Sequence, residues 1–175
     1  MARSDGGKMD IAVVTGNLKP RSRTLDAAIL VAELLDGVTP KVVIDVVDLG
    51  AGLLDWGDPT VAAAIESVRV SDVAIVASPT YKATYTGLLK LFLDQFPADG
   101  LAGVVAVPLM LGGSLAHALA PELLLKPVLV ELGATCPTRG LYVLDTQCAD
   151  ASAYERWLTA ARPQVLAATS VQEDV

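Results

Sequence analysis

Histidine occurs once, at His117, and cysteine twice, at Cys136 and Cys148, in a chain of 175 residues. A histidine-rich zinc site is therefore excluded, and the two thiols have neither a CxxC relationship nor metal-ligand spacing, so they read as plain reduced thiols. Basic residues are fewer than acidic ones, 13 against 20, giving a formal net charge of −7. That balance argues against general nucleic-acid binding, which relies on Lys and Arg neutralising phosphates, although one basic pocket can sit on an acidic surface. Apolar runs are broken by Gly, Pro and Asp and stay well short of the ~20 residues that span a bilayer. No apolar stretch follows the basic residues at the N-terminus, so no signal peptide is expected; the expected setting is cytoplasmic, away from membranes. Aromatic residues are scarce (two Trp, four Tyr, two Phe) while 53% of the chain is hydrophobic, so the core must be built from Val, Leu, Ile and Ala.

What is present is an alternation of strand and helix. Residues 10–15, DIAVVT, form a continuous apolar run of the kind buried on both faces of a sheet. Leu25, Ala28, Ile29, Ala32 and Leu35 then follow at helical spacing, with Gly37 as the stop. Further strands are expected over 41–47, 72–77, 104–108 and 135–144. Helices are expected over 61–70, 87–95, from Gly112–Gly113 through about Leu132, and over 151–168. Five strands interleaved with helices imply a parallel sheet covered on both faces, because parallel strands need crossover connections. With no repeat and no linker, residues 9–169 are expected to form a single domain, between a flexible leader over 1–8 and a flexible tail over 170–175.

Open parallel sheets bind ligands beyond the carboxyl ends of their strands, where the strand order reverses. In the order 2-1-3-4-5 those are the loops after strands one, three and four. The first, residues 16–24, reads GNLKPRSRT. Gly16 permits a tight turn, Asn17 adds a polar side chain, and Ser22, Arg23 and Thr24 stand where the next helix begins. Free N–H groups and the positive end of the helix dipole favour an anion there, and Arg23 can add charge-assisted bonds to phosphate. The plainer reading is a helix cap beside a solvated basic loop. The second, residues 78–83, reads SPTYKA. Pro79 fixes the chain direction, and the N–H groups of Thr80, Tyr81 and Lys82 can meet a planar heterocycle, with the Tyr81 ring alongside. In the third, residues 110–114, Gly112 and Gly113 admit close backbone approach, and Ser114 serves equally as a helix cap. Each segment alone is weak; at one sheet edge they suit a ligand with a phosphate at one end and a flat ring at the other.

These residues resemble the NAD(P)H-dependent FMN reductase family, which is flavodoxin-like in fold, a three-layer sandwich around a five-stranded parallel sheet of order 2-1-3-4-5. The phosphate segment is similar to the family's Gly-Ser-Pro…Ser-Arg-Ser/Thr stretch, with Asn17 where Ser is usual. Pro79 to Ala83, continuing through Gly87, Leu89, Lys90, Leu93 and Asp94, is similar to its Pro-x-Tyr…Gly-x-Leu-Lys…Asp signature. Gly112-Gly113-Ser114-x-Ala116-His117 and Lys126-Pro127-Val128-Leu129 look most like the flavin reductases of alkanesulfonate monooxygenase systems. The resemblance implies Ser22, Arg23 and Thr24 around the FMN phosphate, and Pro79–Lys82 with Gly112–Ser114 around the isoalloxazine. It also implies NADPH or NADH as hydride donor, a flavin-dependent monooxygenase as receiver of reduced FMN, and a homodimer or homotetramer. Leu123 stands where some of these reductases carry a Tyr in a distorted helix, a feature associated with flavin as a released substrate. Three alternatives remain: a reductase with fixed FMN that passes electrons to quinones, azo dyes or metal ions, a flavodoxin-like electron carrier without enzymatic activity, and an FMN-free scaffold or regulator. His117, Lys90, Asp94 and Trp56 read as packing, surface or interface residues rather than chemical ones.

Overall fold

The computed structural model describes residues 8–172, with side chains through Ser170. The leader expected over 1–8 therefore lies, apart from Lys8, outside the described residues, as do the last three residues of the tail. Five strands, β1 (Ile11–Thr15), β2 (Val42–Asp45), β3 (Val73–Pro79), β4 (Val105–Gly112) and β5 (Leu141–Leu144), form one all-parallel sheet of order β2-β1-β3-β4-β5. The helices are α1 (Arg23–Asp36), α2 (Pro59–Arg69), α3 (Gly87–Leu93), α4 (Lys126–Glu131) and α5 (Ser152–Gln172). This is the expected flavodoxin-like sandwich. Gly37 takes the left-handed cap conformation at φ 73° and donates to Glu33 O, ending α1 where the sequence indicates.

The strands alternate between two cores, as the period-2 geometry of a strand requires. Ile11 and Val13, with Val73, Ile75, Val107 and Leu109, face α1 and α5; Ala12, Val14, Ala74, Val76 and Met110 face α2, α3 and α4. Covering both faces buries β1, β3 and β4 along their whole length, which is why the sequence shows apolar runs there instead of alternation.

Several expected boundaries differ, strand two among them, which ends at Asp45 before a 3₁₀ segment over Val46–Leu54 instead of running to residue 47. Strand four does not stop at Pro108 but runs to Gly112. Ala106 donates its N–H to Thr135 O, toward the β5 side; position 108, two residues on, faces the same way, against an interruption in the fifth strand. The missing N–H of proline there costs no ladder bond. The expected strand over 135–144 is split: Thr135 makes an isolated bridge to Val105, and regular pairing resumes with Leu141 opposite Leu109. The detour is tied down by Lys126 Nζ donating to Thr138 O (2.8 Å) and by Trp157 Nε1 donating to Arg139 O (2.9 Å). The single helix expected up to Leu132 is a 3₁₀ turn (Leu115–His117), a π-helical turn (Pro121–Leu125) and then α4. The π-helical turn packs against the bare backbone of Gly140, where a Cβ would lie 2.6 Å from Glu122 N. Helix α5 continues to Gln172, past residue 169 where the domain was expected to end.

Candidate functional site

The carboxyl ends of β1, β3 and β4 adjoin in register, Thr15 beside Ala77, Pro79 beside Leu111, and Gly112 beside Leu144. The three sequence segments therefore meet along one rim. Their limits shift slightly, because Pro79 closes β3 and Gly112 closes β4 rather than lying in loops.

At the β1 end, Gly16 donates to Ala77 O, and a Cβ on it would come 2.3 Å from Leu89 Cβ and 2.7 Å from Leu89 Cα. Only glycine lets the chain turn here against α3. Asn17 is buried and shapes the loop from both sides: Oδ1 accepts from Lys19 N at 3.0 Å, and Nδ2 donates to Thr24 Oγ1 at 3.2 Å. Ser22 caps α1, its Oγ accepting from Leu25 N at 3.3 Å. Its hydroxyl, and that of Thr24, which accepts from Asn17 Nδ2, each keep a proton to donate. The N–H groups of Arg23 and Thr24 sit in the first turn of α1, where no intrahelical acceptor exists. Arg23 itself reaches across to β5, donating from Nη1 to Asp145 O at 3.2 Å, and is exposed.

At the β3 end, Tyr81 and Thr84 pair through two backbone hydrogen bonds, Tyr81 N to Thr84 O (2.9 Å) and Thr84 N to Tyr81 O (3.2 Å). The two residues between them, Lys82 and Ala83, both have positive φ, 52° and 68°. Two consecutive left-handed residues make the tight turn normally built with Asn-Gly, here with two side chains that disfavour it. The turn points the Lys82 and Ala83 N–H groups outward. Tyr81 is 46% exposed on the rim. Thr80 donates its N–H to Leu111 O, and its hydroxyl oxygen is buried with no hydrogen-bond partner. At the β4 end, Tyr142 Oη donates to Ser114 O at 2.8 Å. That ring explains Gly112, whose Cβ would lie 1.9 Å from Tyr142 Oη and 3.2 Å from Thr80 Oγ1. Ser114 Oγ accepts weakly from Ala116 N at 3.4 Å, and Gly113 is open on all sides.

Four residues that sequence reasoning passed over organise this rim. Thr86 Oγ1 donates to Gly16 O at 2.6 Å while accepting from Leu89 N at 3.1 Å, so one side chain both caps α3 and straps the first loop to the third strand's loop. Ser78 Oγ accepts from Thr86 N at 3.0 Å. Tyr142 and Asp45 are the other two, the latter receiving Arg21 N at 2.8 Å. The capping pattern of Thr86 before an apolar run was readable; its second bond, 70 positions back in the chain, was not.

His117 is exposed and, with Ala83, Leu119 and Leu123, lines a shallow cavity of about 320 Å³ beside the 81–84 turn. Trp56 is 74% exposed. Lys90 pairs with Asp94 along the surface of α3. A larger cavity, about 480 Å³, lies at the opposite, amino edge between Met9, Val38 and Val70, far from these turns. We place the candidate site on the rim. Gly16 and Gly112 are demanded by close contacts, and a buried hydroxyl at each of two strand ends, Thr15 Oγ1 and Thr80 Oγ1, is left without a partner, as a polar ligand site requires.

Comparison with known proteins identifies the family. The family profile described as NADPH-dependent FMN reductase matches residues 9–148. An Escherichia coli (strain K12) protein named FMN reductase (NADPH) is 42% identical over 95 residues, 54% of this chain and 50% of its own. A Pseudomonas putida protein named NADH-dependent FMN reductase SfnF is 36% identical over 78 residues, 45% of this chain and 42% of its own. The chain thus matches about half the length of these curated relatives. The solved apo form of the NADH:FMN oxidoreductase EMOB superposes with a TM-score of 0.80 and 32% identity, covering 91% of this chain and 89% of that one.

Proposed function

The chain belongs to the NADPH-dependent FMN reductase family, and from that premise we propose that it reduces FMN with NADPH or NADH at the rim formed by β1, β3 and β4. The observation that supports this most is the joining of an anion-ready helix N-terminus to a flat, glycine-lined shelf along one edge. The donor set fits the group. Gly16 and Asn17 shape the first loop, and the Ser22 and Thr24 hydroxyls with the N–H groups of Arg23 and Thr24 would hold the phosphate. Arg23 adds positive charge at the same terminus, once its guanidinium swings from Asp145 O. Pro79, Thr80, Tyr81 and Lys82 on one side, with Gly112, Gly113 and Ser114 on the other, would hold the ring. When bound, the flavin supplies the redox chemistry, accepting hydride from the nicotinamide and passing electrons on.

The chain's own contribution is binding and electrostatics. Outward N–H groups at the 81–84 turn and at Gly113 would favour negative charge on the ring without reorganising at the moment of reaction. Hydride transfer to a flavin needs no acid–base pair from the protein. The buried Thr80 hydroxyl can turn its proton toward a ring carbonyl. Leu115, Leu119, Leu123 and Leu124 expose a contiguous apolar face beside the same turn; such a face supports a homodimer or homotetramer, and a sedimentation run returning only monomer would contradict it. Leu123 sits in a π-helical turn and lacks the Tyr that the resemblance associates with released flavin, a departure that counts toward tightly held FMN. The reading of FMN as a released substrate for a flavin-dependent monooxygenase in the cytoplasm rests on the resemblance, and the assay below separates the two.

Steady-state oxidation of NADPH and NADH, each at limiting and excess FMN, tests the proposal. Rates that saturate with added FMN are expected. A yellow protein that turns over quinone without added FMN would instead support fixed-flavin reduction, and bound FMN with no nicotinamide oxidation would support a carrier.

A further inference from the structure

Asp45 ends β2 at the same rim and is 8% exposed. It stands in register with Thr15 of β1. Its Oδ2 accepts the Arg21 N–H at 2.8 Å, and Arg21 has φ 48°, a left-handed conformation that a non-glycine residue holds only when its surroundings impose it. Arg21 directly precedes Ser22, so this one bond fixes the approach to the α1 N-terminus. The second carboxylate oxygen, Oδ1, is buried with no hydrogen-bond partner, as is Thr15 Oγ1 alongside.

An acid is a costly choice here. An asparagine would offer Arg21 the same acceptor without burying a charge beside an anion site. We propose that Asp45 is a positioning residue with two separable effects: its oxygen holds the left-handed bend at Arg21 that shapes the phosphate loop, and its negative charge limits how tightly that loop holds a phosphate dianion. The inference rests on the assignment of residues 16–24 to the phosphate. Burial pushes the Asp45 carboxyl above its ordinary 3.8; the Arg21 N–H pulls it down, the Asp48 carboxylate pushes it up and the Arg21 guanidinium pulls it down. A bound phosphate joins Asp48 in pushing it up. By reciprocity, ionising Asp45 must weaken phosphate binding by the same factor. A reductase that releases its flavin has a use for that brake.

The test titrates FMN and riboflavin, which lacks the phosphate, against wild type, Asp45→Asn and Asp45→Ala between pH 5 and 8, read by flavin fluorescence. Asp45→Asn should bind FMN roughly three- to tenfold more tightly at pH 7.5, the order of effect of removing one negative charge beside a partly solvated phosphate. That ratio should narrow at lower pH, where Asp45 and the FMN phosphate both take up protons, and riboflavin affinity should not change. Asp45→Ala should bind FMN more weakly than Asp45→Asn, and adding Arg21→Gly, which takes positive φ without a tie, should recover part of the loss. Equal or weaker FMN binding by Asp45→Asn at every pH, or an equal gain for riboflavin, overturns the inference. Ser22→Ala and Thr24→Val separate the two levels. If they weaken FMN while Asp45→Asn does nothing, only the role of Asp45 falls; if they too leave FMN affinity intact, the phosphate site itself is misplaced.

Discussion

Replacing Thr86 with valine is the sharpest perturbation of the rim's architecture. The two side chains have nearly the same shape, and Thr86 is 3% exposed, so packing is preserved while two hydrogen bonds disappear. One is the α3 cap to Leu89 N, whose loss costs about 1 kcal/mol. The other is the bond to Gly16 O, and stranding a buried carbonyl costs about 1–3 kcal/mol. The sum, taken conservatively, is about 2–3 kcal/mol, or roughly 5–10 °C in Tm for a domain of this size. Because the lost bond ties the first loop to the segment leading into α3, FMN affinity should fall together with stability. Urea denaturation of wild type, Thr86→Val and Thr86→Ser measures this, with FMN titrations on the same preparations. Serine keeps the hydroxyl and should restore most of both. A Thr86→Val protein within about 0.5 kcal/mol of wild type, or a serine variant as impaired as valine, would refute the strap.

Three other outcomes follow from local geometry. Gly112→Ala places a Cβ where Tyr142 Oη sits, so it should weaken FMN binding, with partial recovery on adding Tyr142→Phe; unchanged affinity would remove Gly112 from the shelf. Burial pushes the Glu122 carboxyl up, but the Gly140 N–H and the Lys126 ammonium outweigh it and leave it below its ordinary value of 4.5. Its stabilisation is therefore present above that value and lost as pH falls through the folded pKa; Glu122→Gln should cost about 1 kcal/mol near neutrality, shrinking in acid, by thermal melts at a series of pH values. Burial raises the Cys136 thiol to about 11, so in a Cys148→Ser background iodoacetamide should label it slowly at pH 8 until the protein unfolds; rapid native labelling would contradict its placement.

The fold was largely legible because its strands are buried on both faces: 10–15 and 72–77 could only be central strands, and parallel strands dictate the crossovers. What misled was local punctuation. Pro108 reads as a stop, yet its N–H would have faced the gap opened by the 136–140 detour, a relation between segments almost 30 residues apart. The broken helix after Ser114 packs against Gly140, which meets Glu122 from 18 residues away, so periodicity alone returned one smooth helix. At the rim, sequence located the three segments, since glycine, proline and cap residues mark them locally, but not the left-handed turn at Lys82 and Ala83, which carries no such mark. It did not find Asp45, Ser78, Thr86 or Tyr142, because each acts through a partner that only the sheet brings near.

The central claim is the location of the flavin. A crystal structure of the protein soaked in FMN should show the phosphate against the Ser22 and Thr24 hydroxyls and the ring between the 79–84 and 112–114 segments. Flavin density at the amino-edge cavity beside Met9 and Val70, with those turns bare, would contradict it.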